Sequence, residues 1–186
     1  SDGGDLFPTE VKAFLFADAV GFGRLRDEAI PSFVEDFLGL VARVTNSFPV
    51  QPAVKNTWGD GLYLVFDSIP DAARFALDLR DAVKVTDWSS LGVSDEFSLR
   101  IALHAGPAYR AIDPVTRRTD YFGAHVNGAA RMEPITPPGE VYASQAFSAL
   151  LALEDARDIH FTYVGVTAWA KGFGSFPTYH LRRANR

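Results

Sequence analysis

The sequence contains no cysteine, which excludes disulfide bonds and thiolate metal sites. It also lacks any apolar run that approaches the roughly 18 residues of a membrane-spanning helix, and it shows no signal-peptide pattern. We therefore expect a cytoplasmic protein that has no membrane partner. Basic residues are outnumbered, since 18 Lys and Arg against 23 Asp and Glu give a formal charge of −5. A nucleic-acid partner normally requires a basic face, so we expect none.

The residues that are present are typical of a globular domain. Apolar residues make up 47% and aromatic residues 13% of the 186 positions, enough to bury a sizeable core. The chain has no internal repeat, low-complexity tract or linker. We therefore predict a single domain over residues 11–186, preceded by a flexible polar tail over residues 1–10.

The hydrophobic pattern alternates along the chain between the two-residue repeat of strands and the three- to four-residue repeat of helices. This alternation predicts an α+β fold with a mixed or antiparallel sheet and helices over one face. We also predict an exposed loop over 110–120 and a terminal hairpin within 161–181. The other predicted strands are 11–20, 53–58, 62–66, 99–109 and 140–144, and the predicted helices are 30–46, 70–85, 125–135 and 145–153.

Two aspartates occupy positions that suit a metal site. Asp18 ends the first apolar strand, and Asp60 lies between two glycines at the tip of a hairpin in NTWGDGLYLVF. Carboxylates at strand ends are hard oxygen ligands for divalent cations. A pair of cations can activate an attacking oxygen and neutralise a leaving pyrophosphate. Backbone N–H groups in the glycine turn after Asp18 could cradle phosphates. The simpler alternative is that both aspartates only form turns.

Three further polar residues suit contacts to a phosphorylated ligand. Asn127 and Arg131 share one face of a predicted helix because they are four residues apart. An arginine at that place could stabilise charge on a transferring phosphoryl group. Lys171, in the glycine-punctuated AKGFGS, could reach phosphates as a point charge. The alternative for Arg131 and Lys171 is a solvated surface position. The four histidines show no metal-ligand spacing, so we expect them to be structural.

Six motifs, in order, resemble the catalytic domain of class III nucleotidyl cyclases, and the resemblance covers residues 11–181. It implies a ferredoxin-like α+β domain that works as a head-to-tail homodimer with active sites at the interface. In such dimers each active site combines the two metal aspartates of one protomer with Asn127 and Arg131 of the other protomer. The motifs are FADAVGFGRL, NTWGDGLYLVF, LRIALHAG, DYFGAHVNGAARME, GEVYAS and AKGFGSFPTYHL.

The resemblance also implies a role for each matching residue. Asp18, Asp60 and the backbone carbonyl of Ala19 match the contacts to two divalent cations, Mn²⁺ or Mg²⁺. Asn127 matches the residue that orients the ribose, and Arg131 matches the arginine that stabilises the transition state. The implied reaction is attack of the ribose 3′-hydroxyl on the α-phosphorus, with loss of pyrophosphate. The residues that match triphosphate contacts are Phe22, Gly23, Arg100 and Lys171.

The positions that read the base depart from the family pattern. Adenylyl cyclases of this family use a lysine four residues before the hairpin aspartate and an aspartate seven before the ribose asparagine. Asn56 and Asp120 occupy these places, and the neighbouring Lys55 points to the other strand face. The hydrogen-bonding groups of this pair could read adenine, uracil or cytosine. Trp58 shares the strand face of Asn56 and would narrow the site in favour of a one-ring base, unless it is ordinary core packing.

A narrower resemblance concerns TWGDGLYLVF, DPVT, ARMEPITPPGEVYAS and AKGFGSFPTYHL, which are similar to the bacterial Pycsar anti-phage cyclases. It implies a pyrimidine substrate, with cyclic UMP or cyclic CMP as a product that activates a separate effector protein. Our leading prediction is that UTP is converted to cyclic UMP. The rival predictions are an adenylate cyclase that makes cyclic AMP, a cytidylate cyclase that makes cyclic CMP, and an inactive cyclase-like binding module. The inactive module is disfavoured because Asp18, Asp60 and Arg131 are all present.

Overall fold

The computed structural model describes residues 7–185, in which eight strands form a single sheet. The strands are β1 (Thr9–Val20), β2 (Val54–Trp58), β3 (Gly61–Phe66), β4 (Ser98–Ile112), β5 (Thr119–Phe122), β6 (Val141–Ser144), β7 (Ile159–Trp169) and β8 (Gly174–Arg183). Their order is β2-β3-β1-β4-β6-β8-β7, with β5 paired to β4. The β4–β6 pair is parallel and the β1–β3 and β1–β4 pairs are antiparallel, so the predicted mixed sheet is confirmed.

The helices are α1 (Ile30–Phe33), α2 (Gly39–Ser47), α3 (Ile69–Val85), α4 (Ala124–Met132) and α5 (Gln145–Ala152). A π-helical stretch, Val34–Leu38, connects α1 to α2, so the predicted helix over 30–46 contains a π-helical interruption. Short 3-10 turns at Phe22–Arg24, Glu133–Ile135 and Ala170–Gly172 lie near the candidate site. Within residues 7–185, no helix combines the length and apolar character needed to cross a membrane.

Two predicted boundaries were wrong. The predicted loop over 110–120 is shorter, because β4 continues to Ile112 and pairs with β5 from Thr119 onwards. Arg110, Thr119 and Asp120 therefore belong to paired strands, and the connecting loop covers residues 113–118. β1 also begins at Thr9, two residues before the predicted start, and Thr9 pairs with Tyr109 of β4. Residues 1–6 of the predicted N-terminal tail lie outside the described residues.

The two faces of the sheet carry different layers. On one face Leu15 and Ala17 of β1 belong to a large apolar core that also contains side chains of α3 and α5. On the opposite face Phe14 packs with Ala129 of α4 in a smaller cluster. Because successive strand residues point to opposite faces, Phe14, Phe16 and Asp18 share the face that α4 covers. The prediction that helices lie over one face only was therefore wrong.

The main core holds the strands that carry the candidate site. Phe75 of α3 is fully buried, with ring centroids 5.2 Å from Phe66 and 5.4 Å from Phe48. We expect Phe75→Ala to lower the free energy of unfolding by about 3–5 kcal/mol, because it removes a large buried side chain and leaves a cavity. The control is Val85→Ala on the same helix, where the side chain is 82% exposed and the expected change is below about 0.5 kcal/mol. Urea unfolding followed by circular dichroism measures both, and equal midpoints would contradict the prediction.

Candidate functional site

Three strands bring the two predicted metal aspartates together. Asp18 of β1 lies directly opposite Gly61 of β3 on one side and Arg100 of β4 on the other. Asp60 immediately precedes Gly61, in a tight turn where Gly59 adopts a left-handed conformation with φ 61°. Burial and the charge of Asp18 raise the pKa of Asp60. The two carboxyl groups are therefore within electrostatic reach of each other.

Glu133 joins this carboxyl pair, and the sequence analysis gave it no role. It opens the 3-10 turn that directly follows α4. Burial raises the pKa of Glu133 to about 8, and the neighbouring Asp18 carboxylate raises it further, while Arg100 acts in the opposite direction. The only sequence signal was the acidic residue two places after Arg131 in the motif ARME.

The cluster contains buried polar atoms that lack partners. Within residues 7–185, Asp18 Oδ1, Glu133 Oε1 and Arg100 Nε are buried and make no hydrogen bond. Two carboxylate oxygens that face each other can bond only if one carries a proton. Buried polar groups without partners are rare in folded proteins, and such groups point to a missing ion, water or ligand. The arrangement therefore has room for an additional positive charge.

This chemistry fits divalent cations that are shared with a substrate. Within the described part of the chain, no group of three or more His, Cys, Asp or Glu side chains is arranged to hold a metal by itself. Mg²⁺ is commonly bound by one or two carboxylates together with substrate phosphates and waters. Asp18 and Asp60 suit that kind of site. The side chain of Ala19 is buried on the core face, so only its backbone carbonyl is available as the predicted third contact.

The predicted triphosphate turn directly follows β1. Phe22–Arg24 form a 3-10 turn that Gly21 enters with φ 97°. The ring of Phe22 packs on Phe33 at a centroid distance of 4.8 Å, so the side chain anchors the turn to the core. Gly23 is exposed and has open space around its Cα. The contact that these two residues offer to a phosphate is therefore made by backbone groups.

The remaining predicted phosphate and ribose residues form a second group, on α4 and the turn between β7 and β8. Asn127 is exposed and Arg131 is half-buried, and both lie on α4. Lys171 is exposed and adopts a left-handed conformation with φ 57° and ψ 34°, which is uncommon for a residue other than glycine. Within residues 7–185, no side-chain hydrogen bond or ion pair joins this group to Asp18 or Asp60.

The predicted base-reading residues lie beside an aromatic cluster. Asn56 is exposed and pairs with Tyr63 across the β2–β3 ladder. Trp58 is 51% exposed, and its ring lies 6.2 Å from Phe16 and 6.4 Å from Tyr63, which excludes ordinary core packing. The Tyr63 hydroxyl donates to Asp120 Oδ1 at 3.3 Å. Tyr63 thus connects the two predicted base-reading positions, a role that the sequence analysis missed.

Burial and the neighbouring Asp120 charge raise the pKa of Tyr63, so its hydroxyl stays protonated and remains a donor. Asp120 also accepts the backbone N–H of Tyr121 at 2.7 Å. These two donors bond one carboxylate oxygen, Oδ1, and leave the other oxygen available to a ligand. Asp120 is therefore held in place as an acceptor next to the face that carries Asn56.

Comparison with known proteins identifies nucleotide cyclases as relatives of this chain. An adenylate cyclase of Streptomyces griseus is 31% identical over 137 residues, which cover 72% of this chain and 31% of that enzyme. Mouse guanylate cyclase 2G is 31% identical over 192 residues, covering 90% of this chain and 17% of that protein. The chain therefore spans less than a third of the length of either relative.

The fold is shared with solved cyclase structures. The adenylyl cyclase CyaB from P. aeruginosa superposes with a TM-score of 0.80 at 18% identity, over 97% of each chain. Residues 8–183 match the family described as the adenylate and guanylate cyclase catalytic domain. The chain therefore belongs to the adenylate and guanylate cyclase catalytic-domain family, the class III nucleotide cyclases.

Proposed function

We propose that this domain converts a nucleoside triphosphate, preferentially UTP, into its 3′,5′-cyclic monophosphate and pyrophosphate. The observation that carries the proposal is the meeting of Asp18, Asp60 and Arg100 at the ends of three adjacent strands, with buried polar atoms that lack partners. A triphosphate with two bound cations supplies the missing charges and acceptors. Asp18 and Asp60 would hold the cations, and Arg100 would bind phosphate oxygens.

The reaction is an intramolecular displacement. The 3′-hydroxyl oxygen forms a bond to the α-phosphorus, and the bond from that phosphorus to the bridging oxygen breaks, so pyrophosphate leaves with the electron pair. The hydroxyl proton passes to the Asp18 carboxylate or to water. Bound divalent cations would activate the hydroxyl and neutralise the leaving group. Asn127 orients the ribose and Arg131 stabilises charge at phosphorus, so the rate depends on positioning and electrostatics.

The preference for UTP rests on the base-reading residues. Asn56 stands where adenylyl cyclases of the family carry a lysine, and Trp58 presents half of its surface on the same strand face. Asp120 can accept the uracil ring N–H while Asn56 donates to a carbonyl oxygen. A large indole beside this pair leaves less space for a two-ring base than a small aliphatic residue does.

The proposal also includes the assembly of the enzyme and its role in the cell. The enzyme works as a cytoplasmic homodimer in which each site combines the aspartates of one protomer with Asn127, Arg131 and Lys171 of the other. Support comes from the resemblance to cyclases whose sites combine residues of two protomers. Within residues 7–185, no side-chain hydrogen bond or ion pair joins Asp18 or Asp60 to Asn127, Arg131 or Lys171. The cyclic nucleotide then acts as a second messenger in anti-phage defence and activates a separate effector protein.

An adenylate cyclase is the second candidate. Two observations favour it: Asp120 retains the carboxylate that can accept the exocyclic amine of adenine, and the Streptomyces griseus relative is named an adenylate cyclase. Cytosine also presents an exocyclic amine, so CTP is a further possible substrate. The choice of base distinguishes these candidates, whereas the phosphate chemistry is common to all of them.

The substrate proposal is tested with the purified domain, each of the four nucleoside triphosphates, and Mn²⁺. We expect cyclic UMP as the main product by chromatography. Asn56→Lys combined with Trp58→Leu should raise the ratio of ATP to UTP turnover at least about tenfold. A tenfold change corresponds to about 1.4 kcal/mol, which is the size of the contribution of one hydrogen bond. Lys55→Ala is the matched control, because that side chain faces the other side of the strand. Cyclic AMP as the main product of the wild-type domain would overturn the UTP assignment.

The shared dimer site is tested by mixing inactive variants. Asp60→Ala and Arg131→Ala should each lower the cyclisation rate at least about 100-fold, because one removes a cation ligand and the other removes charge stabilisation. Mixing equal amounts after subunit exchange should restore about a quarter of wild-type activity, because random pairing makes half of the dimers hybrids with one intact site. Mixing Asp60→Ala with Asp18→Ala is the control, since no hybrid then contains an intact site. Equal recovery in both mixtures would refute the shared site.

The carboxyl cluster makes the stability of the metal-free domain depend on pH. The folded-state pKa of Glu133 is raised to about 8, so the folded state holds its proton more tightly than the unfolded chain. Stability then falls as the pH rises from the ordinary glutamate pKa towards 8. Glu133→Gln should flatten this dependence in urea unfolding with a chelator present. Glu154→Gln, at a distant surface position, is the control that should keep the wild-type slope.

A further inference from the structure

A cavity of about 310 Å³ lies between α4 and the turn that joins β7 to β8. Its size is at the lower end of small-molecule sites, which are roughly 300–1,000 Å³. The polar side of the wall carries His104, His125, Ser144 and the exposed Gln145, and the apolar side carries Trp169, Phe173 and Phe176. None of these seven residues belongs to the cation, triphosphate or base-reading groups described above.

A chain of hydrogen bonds organises the polar wall. Ser144 caps α5 by accepting the Phe147 backbone N–H at 3.2 Å, and its Oγ lies 2.6 Å from His104 Nδ1. Within residues 7–185 the Ser144 hydroxyl has no other acceptor, so we assign it as the donor to His104 Nδ1. Burial, together with the neighbouring His125, lowers the pKa of His104 to about 4, so this ring is neutral and its proton resides on Nε2.

The proton on His104 determines what His125 offers to the cavity. His104 Nε2 lies 2.9 Å from His125 Nδ1, and in the tautomer assigned above it donates to that nitrogen. Because His125 Nδ1 accepts that bond, the His125 ring carries its own proton on Nε2. Within residues 7–185, that Nε2–H has no hydrogen-bond partner. The His125 Nε2–H is thus a donor on the cavity wall, and its orientation depends on the buried side chains of His104 and Ser144.

Two glycines allow the imidazoles to occupy these places. A Cβ atom at Gly106 would lie 2.4 Å from His125 Cγ, and one at Gly128 would lie 3.3 Å from His104 Cδ2. Any larger residue at Gly106 would push the His125 ring away from β4. The position of His125 therefore depends on a close approach of its ring to the strand backbone.

The opposite wall is aromatic and has no free polar group of its own. The Trp169 and Phe173 rings are nearly parallel, with an interplanar angle of 12° and a centroid distance of 6.1 Å, and Phe176 lies 4.6 Å from Trp169. The Trp169 indole N–H donates to Thr178 Oγ1 at 3.3 Å inside the hairpin. The ring surfaces are therefore what this wall presents. Phe173 and Phe176 are 39% and 37% exposed, which leaves the cavity open to solvent.

We propose that this cavity binds a small planar aromatic molecule carrying a carbonyl or carboxylate oxygen, which regulates the cyclase. The ring of the ligand packs against Trp169 and Phe173, and its oxygen accepts the His125 Nε2–H. The site joins two functional elements: His125 lies two residues before Asn127 on α4, and Trp169 and Phe173 flank Lys171. An occupant that contacts both elements changes their relative position. This regulatory role rests on the function proposed above, whereas the binding itself does not.

The test uses 2-naphthoate as the probe, with decahydro-2-naphthoate as a control that keeps the carboxylate and lacks the planar ring. The chain has three tryptophans, so ¹H–¹⁵N spectra give three indole signals, and Trp169→Phe identifies the one in the cavity. We expect 2-naphthoate to shift the Trp169 signal in a saturable manner and leave the Trp88 signal in place. His125→Ala and Phe173→Ser should each weaken binding at least fivefold, while His160→Ala, at an exposed position on β7, should not.

A signal from Trp169 that does not move, or an equal response to the saturated control, would overturn the proposal. A shift confined to Trp58 would also overturn it, since the probe would then occupy the base-reading site. Circular dichroism of the two weakened variants checks that they are folded. The rate of cyclisation is then measured with and without saturating 2-naphthoate. We expect the probe to change the rate of the wild-type domain at least twofold, and to have a smaller effect on Phe173→Ser. If the domain binds the probe at Trp169 but produces no cyclic nucleotide, the proposed function fails while the site stands.

Discussion

The antiparallel register of β1 against its two neighbours is the constraint on which the site depends. Asp18 faces Gly61 on one side and Arg100 on the other, so a carboxylate, a guanidinium and the turn that carries Asp60 meet at one end of the sheet. A slip of one residue in either pairing would turn Asp18 towards the apolar core. The adjacent buried residues, such as Leu15, oppose that slip because exposing them to water is unfavourable. The main core thereby positions the candidate site.

The register brings several partly buried acidic groups together at one end of the sheet. Asp18, Asp60 and Glu133 converge with a single guanidinium, and several of their buried polar atoms lack partners within residues 7–185. Replacing such groups with apolar side chains often stabilises a protein. Their presence is therefore a cost to stability, which bound cations and a triphosphate would offset. Stability and function compete at this end of the sheet, as they commonly do at functional sites.

Several features were predictable because they depend on local patterns. The two-residue repeat identified the strands that end at Asp18 and carry Trp58, and the glycines around Asp60 indicated a turn. Glu133 and Tyr63 were missed because nothing local distinguishes them. Glu133 acquires its role from a helix end that packs against β1 and β4, and Tyr63 from a hydroxyl contact to a residue 57 positions away. Contacts between distant segments are not encoded in short windows of sequence.

The sequence by itself determined the alternation of strands and helices, the order of the motifs and the residue types at the predicted cation, ribose and phosphate positions. These properties depend on periodicity and on spacing within single elements. Only the tertiary structure decided that α4 covers the face of the sheet carrying Asp18, that Glu133 joins the carboxyl pair, and that His104 and His125 line a cavity beside the Lys171 turn. The reason is physical: burial, unpaired polar atoms and cavities arise only when segments far apart in sequence pack together.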